Sequence, residues 1–386
     1  MATTTATGTR PPLWRDVRVL RVAFQVAVLA AVVAFASYLY DNLRANDVEF
    51  DFGFLDQQAG FTVAYTDLGP SDTILQAILT GLRNTITVAL VGNVLTLVLG
   101  TLIGIARLSG NWVVRRVAGV YVEALRNVPP LLVIIFVNSA ALTTLPPIDE
   151  ANQLGGLLVA SVSEFGVVSP ADGGNGGPYL VLLAAGVAAA LALGGWRRRV
   201  EDRTGAPAHP LVWGGGLLLA VGAAGYLALG SPIVLSHPEV EGLRIVGGAR
   251  MGLPFVAVLV GLVMYTSTHV AEIVRGSILA VPRGQTEAAG AIGLSPSQRL
   301  RHVVLPQAFR IATPPIINQF LNLTKNTSLG VAVAFAELMR VTNTVIGNGN
   351  PAVPAIMVAM GLYLAVSLAI SLVSNVAHHR LRLVER

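Results

Sequence analysis

Long runs of apolar residues alternate with polar segments along the whole chain. The runs cover about residues 20–40, 86–106, 119–141, 178–195, 211–229, 253–274, 311–335 and 353–376. Each run is close to the ~20 residues that an α-helix needs to cross a bilayer, whereas strands of a membrane β-barrel would appear as alternating segments of about ten residues. The pattern therefore predicts an all-α integral membrane protein with about eight transmembrane helices.

Two of these runs contain residues that disfavour a continuous membrane helix. They are Arg126, Pro129 and Pro130 in the run at 119–141, and Pro314 and Pro315 in the run at 311–335. Proline removes a helical hydrogen bond and clashes with the preceding turn, so both helices are expected to be interrupted. The connecting segments 142–177 and 230–250 contain Gly and Pro and are predicted to be irregular.

The charges of the connecting segments predict the orientation. Arginines are concentrated before the first run, after the second, fourth and sixth runs, and after the last one. The segments 41–82 and 142–177 instead carry seven and four acidic residues with at most one arginine. Basic loops remain in the cytoplasm, which predicts that both chain termini are cytoplasmic and that 41–82, 142–177 and 230–250 are external.

Composition supports the membrane prediction and limits the chemistry. Hydrophobic residues make up 53% and charged residues 12% of the chain, about half of the ~25% charged fraction typical of soluble proteins. The absence of cysteine excludes disulfides and thiolate metal sites. The net charge of +5 is typical of arginine in cytoplasmic loops and does not indicate a nucleic-acid partner.

The one lysine excludes a nucleotide site of the P-loop type. Such a site requires Gly-Lys-Ser/Thr, but the lysine occurs in Thr324-Lys325-Asn326. If ATP drives the activity of this protein, another polypeptide must therefore bind it.

The polar segment after the sixth run contains a helix-turn-helix pattern. A short helix is predicted over 285–291, with Gly293 ending it and Ser295 capping a second helix that begins at Pro296. Pro306 is expected to break the chain before it re-enters the membrane. Without a resemblance to a known family, these residues favour a pair of amphipathic helices lying at the membrane surface.

The same segment resembles the EAA loop of bacterial ABC importer permeases. The residues that match its spacing are Glu287, Ala288, Ala289, Gly293, Val303, Leu305 and Pro306, with Val303 in place of the commoner isoleucine. In that family the loop forms a coupling helix that docks into the ATPase subunit. The resemblance implies that these residues couple the chain to a separate ATPase, and that this chain is itself non-catalytic.

Flanking segments are similar to polar amino acid permeases of the histidine/glutamine/glutamate type. They begin at Tyr121, Arg126, Ala271 and Leu323, and the resemblance covers about 82–140 and 251–380; Pro130 replaces a usual leucine. A first helix at 20–40 and a hairpin at 178–229 resemble additions in the longer permease of general L-amino acid and glutamate/glutamine/aspartate/asparagine importers.

The resemblance implies a domain organisation and an assembly. The predicted parts are a cytoplasmic tail at 1–19, an extra helix at 20–40, an external loop at 41–82, a type I ABC transmembrane domain at 83–376 with an insertion at 142–250, and a tail at 377–386. The implied partners are two ATPase copies that bind ATP and Mg²⁺, a second, paralogous permease, an extracytoplasmic amino acid-binding protein and membrane lipid. The implied location is the bacterial inner or plasma membrane.

Lys325 is a candidate for substrate contact. It follows Arg310 by 15 residues, roughly 22 Å along a helix, so it is expected deep in the membrane. An ionisable residue there indicates either function or a structural partner. Lys325 can contact a substrate carboxylate, or it can pair with Glu337, Glu272 or backbone carbonyls.

The other candidates for the substrate pathway also have structural alternatives. Glu272 can bind the amino group of an amino acid, or it can pair with Arg275 or Arg126, while His269 on the same helix face is expected to be a packed core residue. The remaining candidates are short polar residues next to expected helix breaks, where they can bind substrate or satisfy the broken backbone: Asn127, Asn326, Thr327 and Ser328.

Two other functions remain as alternatives. An ion-coupled secondary transporter would not need a docking loop, and no inverted repeat is apparent between the two halves of the sequence. A membrane enzyme would need a nucleophile–base pair or a metal cluster, and neither His269 nor the pair His378-His379 has suitable partners in the sequence.

Overall fold

A computed structural model of the chain describes residues 17–45, 51–66, 68–205, 207 and 209–381. Most of the predicted cytoplasmic tails, residues 1–16 and 382–386, lies outside the described residues. Twelve α-helices are described, together with eight short strands. The helices are α1 Val17–Ala45, α2 Ile74–Ala106, α3 Trp112–Arg126, α4 Pro130–Phe136, α5 Gly176–Thr204, α6 Pro210–Ala228, α7 Leu253–Leu279, α8 Arg283–Ala291, α9 Pro296–Arg299, α10 Leu305–Asn326, α11 Leu338–Gly347 and α12 Ala352–Leu381.

The helices agree with the predicted membrane character. Five of those described are long and apolar enough to cross a bilayer, and two bent pairs bring the number to as many as seven. A shorter apolar helix, Val212–Ala228, corresponds to the predicted run at 211–229. The chain is thus a multi-pass helical membrane protein, while the count of eight spans and the orientation stay predictions.

The predicted span at 119–141 is interrupted, as expected. Helix α3 ends at Arg126, and α4 begins at Pro130 with Pro129 as its N-cap. The two helices are bent by 105°. Pro130 is tolerated at the start of α4 because the first turn of a helix has no partners for its N–H groups.

Three other prolines do not act as predicted. Pro314 and Pro315 lie inside α10, which continues through them to Asn326 and then into a 3₁₀ segment, Thr327–Val333. The expected chain break at Pro306 is also wrong, because Pro306 lies in the first turn of α10 after a π-helical turn, Leu300–Val304. Proline costs little in a first turn, where its missing N–H is not needed.

The segments predicted to be irregular contain three small β-sheets, so the whole chain is not all-α. The four-stranded antiparallel sheet has the order β1-β2-β3-β8, and β4-β5 and β6-β7 form separate pairs. The strands are β1 Asn152–Leu154, β2 Leu158–Ala160, β3 Glu164–Val167, β4 Ser169–Asp172, β5 Ile233–Ser236, β6 Glu239–Glu241, β7 Arg244–Val246 and β8 Ala249–Gly252.

Helices α2 and α7 form the centre of the membrane part and run parallel. Gly92 faces Leu259, and further along both helices Gly100 faces Val270. A Cβ added at Gly100 would lie 2.6 Å from the Val270 Cβ, so glycine is what allows this close approach. Both helices therefore start at the same end, called here the strand end because β8 leads into α7. The opposite end, where α7 leads into α8, is called the α8 end.

Helices α5 and α6 form a hairpin that packs mainly on itself. The Tyr179 hydroxyl donates a hydrogen bond to the Gly222 carbonyl at 3.0 Å, and the Tyr179 and Tyr226 rings meet edge to face. The opposing residues are small, since Gly186 and Gly225 lie against Val221 and Leu182 respectively.

Candidate functional site

The predicted short helix is present as α8, and Gly293 ends it as expected. Gly293 has a φ of +83°, which glycine adopts without the steric penalty of a Cβ. Its N–H donates to the Gly290 carbonyl at 3.0 Å, and the Leu294 N–H donates to the Ala289 carbonyl at 3.1 Å. These two bonds form a Schellman motif, which fixes the direction in which the chain leaves α8.

The second predicted helix also begins where expected. The Ser295 hydroxyl accepts a hydrogen bond from the Gln298 N–H, and the Gln298 side chain accepts one from the Ser295 N–H at 2.9 Å. This capping box satisfies two helix N–H groups. From Pro296 the chain stays helical through the π turn and into α10, so a short turn connects α8 to a long membrane helix.

The side chains of the EAA segment divide into an outward and an inward set. Glu287 and Ala288 are exposed, whereas Ala289 is only 4% exposed. Ile292, which the sequence analysis did not select, is 78% exposed. An exposed helix that carries a carboxylate and is followed by an exposed isoleucine at its fixed end is a surface suited to docking another protein.

The last three EAA positions lie at the base of the segment. Val303 and Leu305 are half-buried and Pro306 is exposed. Their neighbour Val304 is buried in a cluster with Val281, Ala308 and Ile278. This cluster packs the end of α7 against the start of α10, next to the π turn Leu300–Val304 that α8 contacts.

Glu272 is held by two arginines at the α8 end. It forms an ion pair with Arg275, at 3.1 Å between Nη2 and Oε2, and a second ion pair with Arg107, which follows α2. Pairing with Arg275 was one of the sequence alternatives, but Arg126 is not the partner. The Arg107 contact was missed, because only the packing of α2 on α7 brings residues so distant in sequence together.

Lys325 lies near the end of α10 and its side chain is exposed. The two ion pairs found within the described part of the chain both involve Glu272 with arginine. The suggested pairings of Lys325 with Glu337 and Glu272 are therefore wrong. Lys325 is left on the surface of a single chain at a helix end.

The short polar candidates satisfy nearby backbone groups. The Thr327 and Ser328 hydroxyls donate to the Thr324 and Lys325 carbonyls, and the Asn127 amide donates to the Glu123 carbonyl at 2.8 Å. This arrangement corresponds to the structural alternative for these three residues. Asn326 is half-buried at the C-terminus of α10. His269 contacts the Tyr265 ring edge to face, at 4.9 Å between ring centroids.

Glu337 is fully buried and caps α11. Its carboxylate accepts hydrogen bonds from the Met339 and Arg340 N–H groups at 2.9 and 2.7 Å, and a short one from the Tyr363 hydroxyl on α12. Its role as a cap could have been predicted from an acidic residue directly before an amphipathic helix. The contact with Tyr363 could not be predicted from the sequence, because only the folded structure brings α12 next to Glu337.

A cavity of about 550 Å³ lies at the strand end between α2, α7 and β8. Arg83, Asn84, Arg250 and Tyr65 line it together with apolar residues that include Phe335. The Tyr65 hydroxyl donates to the Ser163 carbonyl at 2.9 Å. Burial and the nearby Glu164 carboxylate raise the pKa of Tyr65 above its ordinary value.

The sequence analysis did not select Arg83, because it placed the second apolar run at 86–106, whereas α2 begins at Ile74. The Thr73–Gln76 capping box starts the helix at Ile74, which places Arg83 about 13 Å into it. The capping pattern at Thr73 was the available signal. No group of three His, Asp or Glu side chains that could hold a metal ion occurs among the described residues.

Residues 96–382 match the family described as "Binding-protein-dependent transport system inner membrane component". The chain is 34% identical over 379 residues to the general L-amino acid transport system permease protein AapQ of Rhizobium johnstonii, covering 96% of this chain and 94% of that protein. It is 35% identical over 409 residues to the glutamate/glutamine/aspartate/asparagine transport system permease protein BztB of Rhodobacter capsulatus, covering 96% of each. It is also 33% identical over 372 residues to the putative amino-acid ABC transporter permease protein YhdX of Escherichia coli, covering 94% of each. The chain therefore belongs to the family of inner membrane components of binding-protein-dependent transport systems.

Proposed function

We propose that this chain is the permease subunit of an ATP-driven importer of polar L-amino acids. The observation that carries the proposal is the geometry of α8, an exposed helix with Glu287 and Ala288 outward, fixed by the turn at Gly293 and packed against the π turn that leads into α10. The near full-length similarity to amino acid permeases supports amino acids as the substrate class.

Coupling proceeds through α8. Two copies of a separate ATPase bind ATP and Mg²⁺, and each contacts a permease at the exposed face of its α8, while the permease itself catalyses no reaction. A displacement of α8 is passed to α7 and α10 through the π turn Leu300–Val304 that α8 contacts, because Val304 of this turn packs with Val281 and Ala308. Rigid packed elements of this kind transmit discrete movements between sites.

The α8 end is cytoplasmic and the strand end is external in this proposal. An extracytoplasmic amino acid-binding protein delivers substrate at the strand end, where the β-sheets and the acidic segments lie. A second, paralogous permease completes the pathway, facing the α10 surface that exposes Lys325. The Lys325 ammonium group would be costly in contact with lipid. A position beside the pathway removes this cost, because the group then does not face acyl chains.

The substrate enters near the strand-end cavity. Arg83 and Arg250 supply positive charge there, and Asn84 and Tyr65 supply polar groups. Arginine binds carboxylates through paired donors, so this cavity suits the carboxylate that all amino acids carry. Glu272 lies further along α7 in the direction of α8, whereas Lys325 lies at the end of α10 that is away from α8.

Co-expression with an ATPase and a second permease, followed by reconstitution, tests the proposed function. We expect the ATPase to co-purify with this chain and labelled amino acids to enter proteoliposomes only with ATP. Uptake driven by a proton or sodium gradient without ATP would establish the alternative, an ion-coupled secondary transporter. Failure of the ATPase to bind would contradict the proposed role of α8.

A further inference from the structure

The α5–α6 hairpin contains a groove that none of the candidate pathway or coupling residues lines. The hairpin groove has a volume of about 540 Å³ and lies in the half of the hairpin nearer to the end of α5. Residues that line it include Leu191, Gly194, Arg198, Pro210, Gly215 and Leu218. All of these except Arg198 are apolar.

Glycine creates the space in this groove. A Cβ added at Gly214 would lie 3.1 Å from the Ala190 carbonyl oxygen, which marks the place where the two helices touch. At Gly195 and Gly215 an added Cβ would meet nothing within 4 Å. The helices are therefore in contact along one line and leave an open, apolar channel beside it.

Two tryptophans indicate the depth of this groove in the membrane. The Arg197 guanidinium lies 4.5 Å from the Trp213 ring centroid and 5.7 Å from that of Trp196. The tryptophans are 51% and 58% exposed, and exposed tryptophan is enriched at the headgroup level of membranes. Arg198, which lines the groove next to Arg197, is therefore at the height of the phospholipid headgroups.

The charge of Arg198 is available to a ligand. Glu201 follows it by three residues, but neither this nor any other described carboxylate lies within ion-pair distance of Arg198. Other positions of the hairpin expose large apolar residues such as Val181, Leu219 and Leu227. A hairpin with these surfaces is in contact with acyl chains, so the molecules next to the groove are lipids.

We propose that the hairpin groove is a binding site for one anionic phospholipid. The headgroup pairs with Arg198, and one acyl chain lies in the channel against Leu191 and Leu218. A basic residue beside an apolar groove between helices matches both parts of such a lipid. The inference depends on the membrane position of the hairpin and not on the transported substrate.

Native mass spectrometry of the purified full-length chain tests this site. Phosphatidylglycerol and phosphatidylcholine with the same acyl chains are added in turn, and the fraction of lipid-bound protein is measured. We expect one tightly bound phosphatidylglycerol and no comparable phosphatidylcholine. For Arg198→Gln we expect about fivefold weaker binding, the factor that one basic residue contributes near an anionic surface. Gly215→Leu fills the channel and should abolish the binding.

Two matched variants serve as controls. Arg199→Gln removes a charge from the same helical turn, and Gly216→Leu adds the same bulk where an added Cβ also meets nothing within 4 Å; neither residue lines the groove. Both should bind phosphatidylglycerol like the unmodified chain, with all variants eluting alike in size-exclusion chromatography. Equal binding of the two lipids, or equal behaviour of the groove variants and their controls, would overturn the proposal.

Discussion

At the residue scale, Gly293 determines how α8 is presented. Its φ of +83° costs a residue with a Cβ roughly 1 kcal/mol, and a β-branched residue more, because the left-handed region is crowded. Nothing lies within 4 Å of a Cβ added there, so the penalty comes from the backbone and not from packing. A substitution at Gly293 thus tests the direction of the turn without filling a cavity.

We expect Gly293→Val to uncouple ATP hydrolysis from transport while the protein still inserts in the membrane. Valine cannot maintain the left-handed turn, so α8 changes its angle against the ATPase. Uptake and ATP hydrolysis are measured in proteoliposomes containing the full complex. Gly293→Asn is the matched control and should retain most of the activity, because asparagine tolerates this conformation. Normal transport by the valine variant would contradict the role of the turn.

The buried Glu337 carboxylate permits a second prediction at this scale. Glu337→Ala leaves the Met339 and Arg340 N–H groups and the Tyr363 hydroxyl without their acceptor. Loss of a cap and of buried hydrogen bonds costs about 2–4 kcal/mol, so we expect a clearly lower Tm in detergent. Glu337→Gln keeps an acceptor oxygen, so its Tm should fall less than that of the alanine variant. Equal Tm values for the alanine variant and the unmodified protein would show that this network does not stabilise the fold.

At the element scale, the sequence predicted the helices better than their contacts. Apolar runs located the membrane helices because lipid imposes a length and a hydrophobicity on each of them. The strands were missed, since pairs such as Phe165 with Met251 join residues far apart in sequence and each strand is too short for a period to appear. The same limit applies to the Arg107–Glu272 contact. The roles of Gly293 as a helix end and Ser295 as a helix cap were predicted correctly, because helix ends depend on local residues.

The ion pairs of Glu272 give a prediction that distinguishes a structural role of this residue from a role in substrate recognition. Glu272→Gln leaves Arg107 and Arg275 close together without a carboxylate, so we expect lower stability and slower uptake. The double variant Glu272→Gln/Arg107→Gln should recover stability, because the charge imbalance is reduced. Tm and the KM for uptake are measured for both variants.

The two roles of Glu272 differ in the double variant. If Glu272 has a structural role, the double variant should recover both the Tm and the KM of the unmodified protein. If KM stayed high while Tm recovered, Glu272 would act on the substrate amino group, and the structural interpretation would be wrong.

At the scale of the whole molecule, the parallel packing of α2 and α7 separates two specialised ends. The strand end carries the β-sheets and the cavity with Arg83, and the α8 end carries the coupling helix and the Glu272 ion pairs. Loop charge predicted opposite sides of the membrane for these groups of residues, since basic segments stay in the cytoplasm. The arrangement of helices is compatible with that orientation and leaves it open to a direct test.

Single cysteines report the orientation with a clean background, because the chain contains no cysteine. We expect Gly174→Cys and Glu239→Cys, both exposed at the strand end, to react with a membrane-impermeant maleimide added to intact cells. Ser295→Cys and Arg199→Cys, which are equally exposed, should react only after the membrane is opened. Detergent-solubilised protein is the control that all four thiols are accessible. Labelling of position 295 from outside would reverse the orientation and place α8 out of reach of a cytoplasmic ATPase. Labelling of position 199 alone would leave α8 in the cytoplasm but would show that the hairpin crosses the membrane in the other direction.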